Sequence, residues 1–150
     1  MKKSILIIST ISVCIVLFLG GYVVGIITHN EVSREIRFGY QHSEQPNRVD
    51  YPHVFTDLEN QTIIDNLMMT YLHKEKIESA NVNVEKPDLY MSVGSPKQSV
   101  ILISARIWFT PDGAIVGERR GENWDEVAFY KWDNRDARYI MDTINYEENN

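Results

Sequence analysis

Residues 5–28, ILIISTISVCIVLFLGGYVVGIIT, contain no Asp, Glu, Lys or Arg, and this run constrains the chain more than anything after it. In water such a segment must be covered on every side; in lipid it needs no cover. As a helix its 24 residues span about 36 Å, enough to cross a hydrocarbon core of about 30 Å with some tilt. Fifteen of them are Leu, Ile, Val or Phe, worth roughly 4.5–9 kcal/mol of favourable insertion before the smaller costs of Ser, Thr and Gly. The run predicts a transmembrane helix over 5–28, preceded by a short arm, 1–4.

Lys2 and Lys3 abut the run with no acid nearby, while Arg34 and Arg37 follow it closely, so counting Lys and Arg does not separate the flanks. Position does. With no folded domain ahead of the span, the N-terminus is expected to stay cytoplasmic and residues 29–150 to be extracytoplasmic, giving a single-pass protein of the cell membrane. A cleaved secretory signal begins the same way, but its apolar region is typically 7–15 residues and ends at a small-residue site. Here the small residues near the end are Gly20, Gly21 and Gly25. An uncleaved signal-anchor is the expectation, and cleavage after Gly25 the alternative. Cys14 follows Val13 and not a small residue, which argues against lipidation. Gly21 and Gly25 form a G-x-x-x-G pair, spacing that lets two helix backbones pack closely. A homodimer through the span is thus one predicted partnership besides the lipid bilayer, and the ordinary abundance of Gly in membrane helices is its plain alternative.

Beyond the span the chain turns acidic. Residues 29–150 hold all 21 Asp and Glu but 13 of the 15 Lys and Arg, a formal charge of −8. No basic patch stands out to displace counterions from phosphates, so nucleic acid is excluded as an expected partner. The one Cys lies in the span, leaving no thiol outside for a disulfide, a nucleophile or a zinc-thiolate site. An outer domain must therefore hold together by burial alone.

Residues 29–53 read as a juxtamembrane segment and linker: Val32 and Ile36 suit a short helical extension, and GYQHSEQPNRVDYPH carries Gly, two Pro and no periodicity. His42 and His53 in it have no companion ligands. The domain is expected over 54–146. Thr56 and Glu59 match a capping box, after which Ile64, Leu67, Met68, Tyr71 and Leu72 form one helical stripe. His73 follows, with no nucleophile near it in sequence. From Ala80 the period is two, predicting strands broken at Pro87, then a long central strand over 99–109, with Ile101, Ile103, Ala105, Ile107 and Phe109 on one face. Thr110-Pro111-Asp112-Gly113 is a turn by composition, leading to strands over 114–118 and 127–132. Ala137, Ile140, Met141 and Ile144 predict a closing helix. The fold class expected is α+β: the transmembrane helix, then a small antiparallel sheet with two flanking helices on one face, in the order α-β-β-β-β-α.

The most charged loop, ERRGENWDE over 118–126, is the candidate partner surface, through Glu118, Arg119, Arg120, Trp124 and Asp125. Trp124 has the alternative of anchoring over the sheet. The loop lacks the ligand order of a calcium site, and the chain has no hydrolase elbow, phosphate loop, dinucleotide fingerprint or metalloprotease helix. No catalytic residue, cofactor or metal is predicted. In layout, and in the strand–turn–strand segments KPDLYMSVGSPKQSVILI and IWFTPDGAIVGE, the chain resembles uncharacterised small exported membrane-anchored proteins of Gram-positive bacteria. The resemblance implies location and fold. The reading is a non-enzymatic extracytoplasmic binding or accessory domain for another envelope protein. The alternatives are a small cell-wall hydrolase, which a pocket of converging His73 and carboxylates would favour, and a membrane-level regulator acting through the span.

Overall fold

The computed structural model describes residues 2–29 and 31–146, with the backbone alone described for 2–6 and 27–29; Met1, position 30 and the polar tail 147–150 lie outside the described residues. The chain falls into two units, Met1–Glu31 and Val32–Asn150. The first is helix α1 (Lys2–His29), in which none of the stretch Ile7–Ile26 is buried. An N-terminal apolar helix of this length is compatible with a membrane anchor or a signal sequence.

The second unit is a seven-stranded sheet with two helices. Along the chain come β1 (Glu35–Gln41), β2 (Val49–Thr56), α2 (Gln61–Leu72), β3 (Glu75–Ile77), β4 (Leu89–Ser95), β5 (Val100–Thr110), β6 (Gly113–Arg119), β7 (Val127–Asp133) and α3 (Asn134–Ile144). Spatially the strands run β2-β1-β4-β5-β6-β7-β3, and every pairing is antiparallel. The α+β architecture with an N-terminal apolar helix is as expected, and β5 is the central strand. Period two explains the packing. Phe38, Met91, Ala105, Ile107, Val116 and Trp132 project to one face, where Ile64, Leu67 and Tyr71 of α2 and Ala137, Ile140 and Ile144 of α3 close the core.

Four expectations are corrected. The stretch read as a helical extension and linker is the β1–β2 hairpin, part of the sheet. Gly39 sits at a bulge where a Cβ would come within 2.3 Å of the Asp50 carbonyl, and Pro52 lies on β2, an edge strand that does not need every N–H. The residues that read as linker are thus those that a bulged, edge-forming hairpin requires. Residues 80–85, read as a strand, belong to the 78–88 connection. It passes from β3 at one edge to β4 over the face without helices, where Trp108 Nε1 donates to the carbonyls of Asn83 (3.0 Å) and Lys86 (3.1 Å), and Arg106 Nη1 to that of Val84 (2.6 Å). Thr56 does accept from the Glu59 amide (3.3 Å), but this closes a turn, and α2 begins five residues later at Gln61 with Asn60 as N-cap. Leu72, placed on the apolar stripe, is exposed, and Thr70 is buried in its stead.

Candidate functional site

The 118–126 loop does not present its side chains as one surface, because β6 alternates before the chain leaves the sheet. Glu118 points to the helix side. Its Oε2 accepts from the Tyr71 hydroxyl (2.7 Å) and from Lys74 Nζ (2.8 Å). Lys74 in turn lies 3.2 Å from the Tyr71 ring centroid and 4.5 Å from that of Tyr130, whose hydroxyl accepts from Arg120. Arg119 donates to the Glu122 carbonyl (3.1 Å). Trp124, half-buried, lies over the Arg106 guanidinium at 3.9 Å on the opposite face, which matches its anchoring alternative. Asp125 is exposed. Gly21 and Gly25 lie on α1, where an added Cβ would meet nothing within 4 Å, so no intrachain contact demands glycine there.

The charges of the Glu118 knot are held by one another. Burial by itself would raise the Glu118 carboxyl, but the bonds from Lys74 and Tyr71 outweigh it and hold the group below the usual carboxylate range. Burial pulls the Lys74 ammonium down, against the pull of Glu118. The Tyr71 phenol is pushed up, by burial and then by the carboxylate it faces. This knot joins the end of α2 to β6 and is structural in character: its groups satisfy each other.

A second cluster, beside the knot at the end of α2, has more open chemistry. Where α2 ends, His73 caps the helix with its own amide, donating to the carbonyls of Met69 (3.1 Å) and Thr70 (3.2 Å). Its Nδ1 lies 3.2 Å from Oδ2 of Asp136, a buried carboxylate in the first turn of α3. Asp133, the N-cap of α3, accepts from the Asp136 amide (2.8 Å) and so fixes that turn. The end of α2 thus meets the first turn of α3 through this pair. Around it opens a cavity of about 240 Å³, to which β3 contributes Glu75, the β5–β6 turn Asp112 and β7 Lys131. The cavity continues past His73, Arg135 and Asp136 into a groove of about 310 Å³ between α2 and α3, walled by Asn66, Met69, Thr70 and Tyr139.

Chemically, a carboxylate on Nδ1 orients the imidazole, and among the described residues Nε2 takes no partner. That is the geometry of a general base. None of the residues lining the charged half of the cleft is Ser, Thr or Cys, so the nucleophile such a base would serve must be water or a substrate group. Among the described residues no group of three or more His, Cys, Asp or Glu is placed to hold a metal ion. His73 is exposed at the surface, and its partner stands 63 residues away in sequence; the signal for that partner lies in the first turn of α3, where Asp133 and Asp136 have N-cap spacing. No protein-family model, curated protein or solved structure matches this chain.

Proposed function

We propose that this chain is a single-pass membrane protein with a cytoplasmic N-terminus, whose Val32–Asn150 domain is a non-enzymatic binding or accessory module for another envelope protein. The observation that carries the reading is the bare apolar helix: no residue of Ile7–Ile26 is buried, and an uncharged helix of that length without protein cover is stable in lipid and not in water. Support for a docking role comes from the cleft at His73 and the groove beside it. They stand at the end of the sheet opposite Val32, since Val32 bonds to the β4–β5 hairpin and the cleft takes Asp112 from the β5–β6 turn. Met69 of the groove is exposed beside Arg135 and His73, and exposed Leu72 adjoins them on α2, apolar contact and mixed charge together, as in a protein–protein surface. A photo-reactive amino acid at Met69 should capture an envelope protein in intact cells, and one at Glu44, in the β1–β2 turn, should not. Protease added to whole protoplasts should remove the domain. A shielded domain, or a mature chain that is freely soluble without its first residues, overturns the reading.

The His73–Asp136 pair favours a second reading, a small extracytoplasmic hydrolase in which the imidazole activates water. Under it, His73→Gln abolishes turnover of a cell-wall substrate while leaving capture at Met69 intact; under the first reading no turnover is found to abolish.

A further inference from the structure

The beginning of β5 breaks the rule that organises the rest of the sheet. Val100 and Ile101 lie opposite Ser95 and Gly94 and so face opposite sides of the sheet, and Leu102 is the extra residue of a bulge between the Gly94–Ile101 and Val93–Ile103 pairs, yet all three are exposed, at 42%, 67% and 62%. Strand β6 pairs with β5 only from Ala105 onward, so this stretch is bonded on the β4 side alone and projects as an apolar tip. Its position along the chain is equally specific. The Lys97 amide, in the turn of this hairpin, donates to the carbonyl of Val32 (3.1 Å), the first residue of the domain, and Glu35 of β1 is opposite Gly94. Val32 is three residues from His29, the last residue of α1, a reach of at most about 10 Å for extended chain.

We infer that this tip, Val100–Leu102, seats in the lipid interface and holds the domain down on the membrane that carries α1. The inference rests on the anchored reading of α1. An added partner strand would give the open β5 edge main-chain bonds but would cover the apolar residues of one face only; an acyl layer covers both faces at once. The attachment is apolar and not electrostatic. Although Lys97 is in the hairpin turn and Arg37 flanks Val100 and Ile101, the domain carries −8, and the acidic 120–126 loop shares this end of the sheet, so neutral lipid suffices.

The test uses the full chain in phosphatidylcholine vesicles, with Cys14→Ala making introduced cysteines unique. An environment-sensitive fluorophore is placed at Ile101→Cys and, independently, at Leu102→Cys, with Leu17→Cys as the span reference and Asp112→Cys at the far end of β5 as the aqueous reference. The tip labels should shift to shorter wavelength and be quenched severalfold by a spin label placed high on the acyl chain, as for a group roughly 5–10 Å into the interface. High salt should leave this unchanged. Tip labels that stay in water while the Leu17 label is quenched overturn the inference and spare the anchor. Tip labels shielded from water but untouched by the lipid quencher assign the edge to a protein strand and also overturn it. A Leu17 label that lipid does not quench removes the anchored reading, and the inference with it.

Discussion

Lys74→Met tests whether the Glu118 knot holds α2 to the sheet. The substitution keeps most of the stem and removes the charge. The Lys74 and Glu118 side chains are only 13% and 16% exposed, and their contact is 2.8 Å. Stranding one member of a fully buried pair costs about 3–5 kcal/mol. Here the Tyr71 hydroxyl still donates to Glu118 at 2.7 Å and some solvent reaches the pair, so about 2 kcal/mol is the better figure, with roughly 0.5–1 kcal/mol more for the lost contact over the Tyr71 ring. Glu118→Gln, which can still accept from Tyr71, should cost about 1–2 kcal/mol. The double variant should cost less than the two singles together, with a coupling of about 1–2 kcal/mol. Urea unfolding of the full chain in detergent micelles reads this directly, because all three Trp lie in the domain and report on it alone. The pH dependence has a definite sign. A carboxyl held below its unfolded value contributes stability that is present above that value and is lost as pH falls through the lower folded one. The wild-type chain should therefore lose stability on acidification over a span that Glu118→Gln lacks. A Lys74→Met chain within about 0.5 kcal/mol of wild type, or strictly additive singles, would refute the reasoning.

Gly113 has φ of +139°, and a Cβ there would lie 2.1 Å from the Trp132 carbonyl, so Gly113→Ala should cost well over about 1 kcal/mol, whereas Gly121→Ala, with open space around it, should leave the urea midpoint in place. Trp108→Phe removes the indole donor that bridges the carbonyls of Asn83 and Lys86, leaving Asn83 only its bond from the Lys86 amide; a loss of about 1–3 kcal/mol is expected, with faster amide exchange and proteolysis confined to 78–88, and uniform acceleration throughout the domain would count against the pinning role. On a helix Cys14 falls on the same side as Gly21 and Gly25, seven and eleven residues on. If two spans pair through those glycines, oxidant added to native membranes should link the chains through Cys14, and Gly21→Ile with Gly25→Ile should abolish the product; a chain that stays monomeric under oxidant rules the pairing out.

What could be read without coordinates followed from period. The span, β4 through β7 and α3 declare themselves by composition or alternation, and the Thr110–Gly113 turn by residues whose backbone preferences are intrinsic. The β1–β2 hairpin was hidden for the opposite reason. Gly39 and Pro52 are breakers in isolation and become compatible with a strand only when one sits at a bulge and the other on an edge, which pairing partners decide. Val82 and Val84 alternate like a strand, yet Val84 serves the sheet through its carbonyl, bonded to Arg106 from a crossing segment.

The candidate site divides the same way. That the 118–126 loop is charged is a property of its residues; that Glu118 turns inward to Lys74 while Trp124 crosses to Arg106 is a property of β6, whose alternation sends neighbours to opposite faces. His73 and Asp136 are far apart in sequence and meet because α2 ends where α3 begins, a contact that local composition does not encode. The sequence alone determined that the first helix is apolar along its length, as a membrane anchor or a signal sequence requires, since the preference of an uncharged run for lipid is summed residue by residue and needs no partner. The tertiary structure decided which charges neutralise each other, where a cleft opens and which apolar strand is left uncovered, because each of these depends on distances between residues the chain brings together only on folding.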